Sequence, residues 1–491
     1  MRKLTKVLNK NILLIIVLVL TIPTFWRMLT PGIYSMQDFH FFRQLEFDKC
    51  VKILQIPCRW APDAGLGYGE PLFNFYGQIP YVIGEVYHLL GGQIIDSVKF
   101  LFILSLLGSS VSMFFLSRSL WKNDFSGLVS SMLYLYAPYR AVDVWVRGAL
   151  PEALAFVLFP LILLSVEKKS LGWFSFLLAL LILTHNLSFI MFLPILVGWI
   201  CYRKFWRAVF GSIISLFLSA FYVLPVILES KYIDLGNTIT GYFDFRAHFA
   251  TLYQMFISRY WGYGGSTWGS GDGLSLSIGQ LQWILPLIIF ILILIKRKIS
   301  MNKNFLILAV FGVFYIFLAH NKSTFFWIHI PGMAYVQFPW RFLGIATFCL
   351  ALSFGAIIHL FEKQKILPSI ILVLAAVVLN FSFFREDIWY KVNDSFFTTG
   401  AEWTRQRSAS IADYWPNFGH IIPDVPSDGE YINYFPGWKG ATPDKSGLIP
   451  SKGTFFTDTP VRRAGNIVSL LSLVFAVTIS LRPKILGFKK Q

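Results

Sequence analysis

"PLFNFYGQIPYVIGEVYHLLGG" (71–92) decides the topology of this chain. It is apolar, and its length is that of a crossing helix, which needs about 20 mostly apolar residues. Gly77, Pro80, Glu85 and His88 interrupt it, however, and its tyrosines suit a membrane–water boundary. If the segment crosses, "EKK" (167–169) and "KRK" (296–298) change sides relative to the N-terminus. If it lies flat, the short basic stretches 2–10, 118–122, 168–169, 203–207, 296–303, 363–365 and 482–490 all fall on one side. Together they hold about half of the 43 Lys and Arg residues. Lys and Arg in short loops favour the cytoplasm, so the segment is expected to lie flat, with both termini cytoplasmic.

Outward from this segment, apolar runs recur along the whole chain. Of 491 residues, 55% are hydrophobic and 14% are charged, and the mean hydropathy is +0.60. A soluble domain carries about 25% charged residues. Crossings are expected near 11–29, 97–117, 124–138, 151–166, 171–184, 187–201, 207–228, 278–295, 304–319, 342–361, 367–384 and 465–481. The expected fold class is therefore an all-α polytopic membrane protein of about twelve transmembrane helices, with a small irregular or β extracytoplasmic segment near the C-terminus.

The expected organisation has three parts. A transmembrane domain (1–384) carries outer loops 30–96 and 229–277. A small extracytoplasmic region (385–464) follows, in which "EYINYFPGW" (430–438) and "TFFTDTP" (454–460) read as strands and "SKG" (451–453) as a turn. A final helix and basic tail (465–491) end the chain. The first apolar run follows Arg2, Lys3, Lys6 and Lys10 and lacks a small-residue cleavage site, so it reads as a retained anchor. The net charge of +17 sits in short loops, which points to membrane orientation and to no nucleic-acid partner. Cys201 and Cys349 lie in apolar runs, whereas Cys50 and Cys58 either pair or remain thiols.

On this topology five outer stretches bring ionisable groups to one depth. The first loop gives Asp38, His40 and Arg43. "YRAVDVWVRGALPE" (139–152) gives Arg140, Asp143, Arg147 and Glu152. "THN" (184–186) gives His185, "QFPWRF" (337–342) gives Arg341, and "TPVRRAG" (459–465) gives Arg462 and Arg463. Snorkelling at helix ends accounts for single cations such as Arg27 and Arg463. It does not account for Asp38, Asp143 and Glu152, because a carboxylate beside apolar segments is costly unless paired or wet. The three acids, each with a cation or histidine close by, point to a cavity at the outer face. Pro151 is expected in the first turn of a helix with Glu152 close behind, where the helix dipole favours a carboxylate.

The motifs narrow the chemistry. No glycine-rich phosphate loop with its lysine is present, and no zinc-ligand spacing. "GYGGSTWGSGDG" (262–273) lacks the strand-to-helix setting of a dinucleotide fingerprint and reads as an outer loop. A carboxylate base with arginines nearby fits transfer from a lipid-linked phosphate: the acid takes a proton from an acceptor hydroxyl, and the cations hold the leaving phosphate.

The order of "QDFHFFR", "GLGYGEPLFNFYGQIPY", "YAPYRAVDVWVRGALPEALA", "THN", "QFPWRFL", "YFPGW" and "TPVRRAGNIVSLLSL" resembles the GT-C superfamily of membrane glycosyltransferases. Within it, the chain is similar to the bacterial YfhO-like group and to its sister family of 6-pyruvoyl-tetrahydropterin-synthase-related membrane proteins. The resemblance implies a GT-C fold, a hexosyl- or pentosyltransferase activity, a polyprenyl-phosphate-sugar donor and an extracytoplasmic acceptor in the cell envelope. It implies that Asp38 is the catalytic first-loop acid. His40, Arg43, Arg140, Asp143, Arg147, Glu152, His185 and Arg341 would contact donor phosphate or line the cavity. The resemblance makes no cofactor certain and leaves room for a divalent metal, which some GT-C enzymes use, but the sequence shows no ligand set. Nor does it show the histidine-based zinc site that the pterin label implies. The outer β domain usual in these families is shortened here. Two other classes fit the composition: a flippase or transporter of a lipid-linked glycan, which favours inverted repeats and helices broken at the midplane, and a non-catalytic membrane scaffold.

Overall fold

Serine, rather than charge, shapes the central helix, Ile94–Trp121. Ser97, Ser105, Ser109, Ser112 and Ser117 are buried along it. Some of their hydroxyls are satisfied within the helix, as with Ser105 Oγ to the Phe102 carbonyl at 2.7 Å and Ser109 Oγ to Leu106 at 3.1 Å. Small residues let neighbouring helices approach closely, and Asp124–Leu135 and Leu150–Glu167 pack along this one. The structure is a computed structural model that describes residues 10–35, 38–296, 302–361, 364–408, 414–419 and 423–481. Around the central group, Leu171–Thr184 joins Leu150–Glu167 to Arg207–Leu218, Asn302–Ala319 packs on Phe342–Phe354, and Pro460–Leu481 packs on Ala220–Leu228.

The architecture is that of a mostly helical membrane protein. Among the described residues, five helices are long and apolar enough to cross a bilayer: Ile94–Trp121, Leu150–Glu167, Asn186–Arg203, Pro339–His359 and Ile366–Phe383. The number reaches seven if two bent pairs each count as one span, Arg207–Leu218 with Ala220–Leu228 (77°) and Lys303–Ala319 with Asn321–His329 (90°). The twelve expected crossings are thus not matched by length and composition. Each expected run contains helix, but several helices are short, such as Asp124–Leu135 and Leu171–Thr184 with 12 and 14 residues. At 1.5 Å per residue these rise about 18–21 Å, less than a hydrocarbon core of about 30 Å.

The segment 71–92 does not form a span. It folds as Leu72–Phe75 and Ile79–Leu89, the latter 11 residues long. One face packs on helix Asp38–Lys52, where Gln44 Nε2 donates to Glu85 Oε2 at 3.1 Å. Gly84 permits this approach, because a Cβ there would lie 2.3 Å from Gln44 Oε1. The other face leaves Val82, Val86 and Leu89 exposed. A disulfide joins Cys50, in the last turn of helix Asp38–Lys52, to Cys58 beyond its end, which resolves the alternatives left open by spacing.

Among the described residues, three two-stranded antiparallel ladders organise the part outside the long helices. Tyr431–Asn433 pairs with Leu448–Pro450, and Trp438–Lys439 with Phe455–Phe456. The stretch read as one strand over 430–438 is therefore two, separated by Gly437 at φ +119°. "SKG" is a turn between Leu448–Pro450 and Phe455–Phe456, which pair with other strands rather than with each other. The third ladder, Ile33–Tyr34 with Trp389–Tyr390, ties the segment before helix Asp38–Lys52 to the region after residue 384. Asp394 reinforces the tie. Its carboxylate accepts from the backbone N–H of Ile94 (2.9 Å) and Ile95 (3.0 Å), which places an anion at the start of the central helix.

A buried ion pair fixes the last helix to this region. Arg462 Nε donates to Glu229 Oε2 at 2.8 Å, and Asn74 Nδ2 donates to the same oxygen at 2.8 Å. Thr459 Oγ1 donates to Glu229 Oε1 at 2.5 Å, and Arg462 Nη2 reaches the Pro436 carbonyl at 2.8 Å. Removing one partner of a buried pair costs roughly 3–5 kcal/mol, whereas replacing both with apolar residues is often nearly neutral. Glu229→Gln should therefore lower the thermal unfolding midpoint of the protein in detergent clearly, and Glu229→Met with Arg462→Met should regain most of the loss. Equal midpoints for wild type and Glu229→Gln would contradict the role given to this pair.

Candidate functional site

Helix Asp38–Lys52 brings Phe39, His40 and Arg43 to a cavity of about 400 Å³, which is also lined by Ser35, Tyr76, Arg147, Gly148 and Ala149. Asp38 is the first residue of that helix; its side chain lies outside the described residues, as do Met36 and Gln37. The Arg43 guanidinium lies between two rings, 3.9 Å from the centroid of Phe39 and 4.0 Å from that of Tyr76. Stacking of this kind fixes the plane of the guanidinium and with it the direction of its N–H groups.

His40 is held on both ring nitrogens. Nε2 lies 2.6 Å from the Gly148 carbonyl and Nδ1 lies 3.0 Å from the Tyr81 hydroxyl. A carbonyl only accepts, so Nε2 carries the proton and Nδ1 accepts from Tyr81. Gly148 sits at φ +57°, a left-handed conformation that suits glycine. Burial, assisted by the charge of Arg43, holds the His40 pKa down at about 3. The ring is neutral and shapes the cavity wall; it brings no positive charge to a phosphate.

The opposite wall is built by 139–152. The turn Pro138–Ala141 widens into a π-helical turn over Val142–Val146, closed by the Arg147 N–H on the Val142 carbonyl at 2.8 Å. Helix Leu150–Glu167 then starts with Pro151 in its first turn and Glu152 directly behind, as expected. Arg147 Nη1 donates to Asp143 Oδ1 (2.9 Å) and Glu152 Oε2 (2.8 Å), and the Tyr139 hydroxyl donates to Glu152 Oε1 (2.7 Å). The Trp340 ring lies 4.6 Å from the guanidinium. The Arg147 side chain is 14% exposed, against 0% for Asp143 and 3% for Glu152. The cation therefore faces the cavity and the acids stand behind it. Both acids take the same nitrogen, so Nε and Nη2 have no protein acceptor among the described residues.

Behind this wall Arg140, Arg147 and Arg341 outnumber the acids Asp143 and Glu152. Burial, with Glu152 alongside, pushes the Asp143 carboxyl up against the pull of Arg147 and Arg140. Burial alone would lower Arg147, but Glu152, Tyr139 and Asp143 outweigh it and the pKa is raised. Arg140 does not reach the cavity. It is fully buried, 3.5 Å from Asp143 Oδ2, with Nη2 on Ser109 Oγ at 3.3 Å and its guanidinium 4.0 Å from the Phe156 ring centroid. Arg341 donates to the Val336 carbonyl (2.8 Å) and Gln337 Oε1 (3.1 Å). It lies near enough to Arg147 and Glu152 to act on their charges. His185, in the turn between Leu171–Thr184 and Asn186–Arg203, has Nδ1 2.7 Å from Ser188 Oγ. Burial, opposed by Glu152 and assisted by Arg341, holds its pKa at about 4.

The structure thus brings His40, Arg43 and Arg147 to one cavity and places Asp143, Glu152, Arg341 and His185 behind Arg147. Arg462 belongs elsewhere, in the pair with Glu229. Reading the sequence for ionisable groups passed over Tyr139, Tyr76, Tyr81 and Trp340, although Tyr139 and Trp340 stand next to residues that were chosen. The loop 262–273 is anchored to this wall: Ser266 Oγ accepts from Trp340 Nε1 at 2.9 Å and lies 3.1 Å from His248 Nδ1. No group of three or more His, Cys, Asp and Glu side chains gathers as metal ligands among the described residues. Asp143 and Glu152 are each bonded to Arg147, so these residues do not fit a divalent-metal site.

No family model and no curated protein matches the chain. The narrower YfhO-like and pterin-synthase-related resemblance therefore has no family model behind it. Among solved structures, the chain is similar to the arabinofuranosyltransferase AftD from Mycobacteria, at 14% identity and a TM-score of 0.45 over 81% of this chain and 28% of that one. A mutant form of AftD gives 14% identity and a TM-score of 0.44 over 78% and 28%. This chain spans little more than a quarter of the AftD chain. At this distance the likeness assigns no residue.

The two lowered histidines make stability depend on pH. With ordinary values of 6.5 lowered to about 3 and about 4, the unfolded chain binds more protons than the folded one between those limits. Their contribution is fully present above pH 6.5 and is lost as pH falls through the window. The thermal midpoint in detergent should drop between about pH 8 and about pH 5, and the double variant His40→Gln, His185→Gln should drop less steeply. An equally steep fall in the variant would contradict the neutral, buried state of both rings.

Proposed function

We propose that this chain is a membrane glycosyltransferase of GT-C type that moves a sugar from a polyprenyl-phosphate donor to a hydroxyl of an extracytoplasmic acceptor. One observation carries the reading: Arg43 and Arg147 line the same cavity, the first clamped by two rings and the second by two buried carboxylates. Oriented guanidinium groups match the oxygens of a phosphate and leave little to reorganise when charge develops on it.

In the proposed reaction the acceptor oxygen bonds to C1 of the sugar as the bond from C1 to the phosphate oxygen breaks. Polyprenyl phosphate leaves with the electron pair, and Arg43 and Arg147 take up its new charge. The hydroxyl proton passes to a carboxylate. We assign that base to Asp38, which opens helix Asp38–Lys52 one residue before the cavity-lining Phe39. His40 is poorly suited, because Nδ1 already accepts a hydrogen bond and the ring resists protonation down to about pH 3. The reaction face is placed outside the plasma membrane, with both termini cytoplasmic, on the strength of the short-loop cations. The Cys50–Cys58 disulfide supports that placement, since disulfides persist in oxidising surroundings.

Asp38→Asn tests the base. A carboxylate that accepts the proton in the transition state contributes roughly 10²–10⁴-fold, so transfer from a radiolabelled polyprenyl-phosphate sugar should fall by about that factor. Expression, thermal midpoint and donor binding should stay as in wild type. Turnover near the wild-type rate in Asp38→Asn would overturn the assignment, and translocation of the donor without transfer would favour a flippase.

A further inference from the structure

A second, larger cavity of about 870 Å³ opens beside the first, with Arg27, Thr30, Trp389, Asn393, Ser395 and Phe396 among its lining residues. Its volume lies within the range of ligand pockets, roughly 300–1,000 Å³. Pro31 also lines it, and Ser35, four residues on, lines the arginine cavity. Four extended residues span at most about 14 Å, so the two cavities are close. One ladder joins their walls. Ile33–Tyr34 leads to Ser35, its partner strand Trp389–Tyr390 borders the larger cavity, and the Ser35 N–H donates to the Ile388 carbonyl at 3.2 Å.

The lining chemistry distinguishes occupants. Arg27 is neutralised by Glu386 at 2.7 Å and lies 5.0 Å from the Trp389 ring centroid. That leaves Lys391 as the lining cation without an ion pair among the described residues, a weak site for a phosphate headgroup. The hydroxyls of Thr30, Ser395 and Thr399 donate within the protein, to Arg27 O (2.7 Å), Asn393 Oδ1 (2.7 Å) and Ser395 O (2.9 Å). Their oxygens keep lone pairs for a ligand. Asn393 Nδ2 has no protein acceptor among the described residues and offers donors. Phe396 presents an exposed ring. Acceptors, donors and an aromatic face in one cavity suit a polyol whose rings are apolar on one side and whose edges carry hydroxyls.

We propose that this cavity is the acceptor subsite and that its ligand is a neutral or weakly acidic oligosaccharide. The inference rests on the transferase reading for the name acceptor, but not for the binding itself. The test uses the full chain in nanodiscs over an array of immobilised neutral and uronic-acid-containing oligosaccharides, with polyprenyl monophosphate binding measured in parallel. Wild type should retain at least one oligosaccharide class. Phe396→Ala and Asn393→Ala, both at exposed positions, should each weaken retention by about tenfold and leave polyprenyl monophosphate binding unchanged. Arg43→Gln should leave oligosaccharide retention unchanged. Failure to retain any oligosaccharide, or equal retention by Phe396→Ala and Asn393→Ala, would overturn the proposal. So would loss of polyprenyl monophosphate binding in those variants, which would make the cavity a lipid-phosphate site. Retention sensitive to Phe396→Ala in a protein without transfer activity would sustain this inference while the transferase reading failed.

Discussion

A buried guanidinium needs partners, and Arg147 has two carboxyl groups on one of its nitrogens. Much of the cavity wall is arranged around that contact. The π-helical turn sets Asp143 four residues before Arg147, Pro151 starts the helix that carries Glu152, and Tyr139 satisfies the second oxygen of Glu152. Gly148, directly after the arginine, turns its carbonyl to His40 and so connects this wall of the cavity to helix Asp38–Lys52. A buried pair of this kind adds little net stability, because desolvation offsets most of the attraction. What it supplies is direction: the remaining guanidinium nitrogens face a cavity at a fixed angle.

The residues after 384 are bound to the helices by contacts between residues far apart in the chain. Asp394 caps the central helix, the ladder Ile33–Tyr34 with Trp389–Tyr390 joins the two cavities, and Glu229 holds Arg462. The residues after 384 are therefore tied to the elements that carry the site rather than forming a separate appendage.

The parts of this arrangement that were legible in the sequence were those with a local cause. Acids beside apolar runs had to be paired, which singled out Asp143 and Glu152 with Arg147. Gly77, Pro80, Glu85 and His88 marked 71–92 as unfit to cross. Arg140 was misleading because, although it pairs with Asp143, it is buried against Ser109 and Phe156 and does not line the cavity, a placement invisible in spacing. The Glu229–Arg462 pair has no local signal at all, and the strand Leu448–Pro450 was hidden by its proline. The count of crossings was not matched for a different reason. Apolar composition marks a helix that avoids water, but it does not fix the helix's length, and runs such as Asp124–Leu135 and Leu171–Thr184 fold as helices shorter than a crossing.

The central claim is that Arg43 and Arg147 together form a phosphate site. A cryo-electron microscopy structure of the chain in nanodiscs with polyprenyl monophosphate tests it most directly. Phosphate oxygens are expected about 2.7–2.9 Å from guanidinium nitrogens of both arginines, with Arg147 Nη1 still on Asp143 and Glu152. A phosphate seated in the larger cavity, or one bound without either arginine, would contradict it.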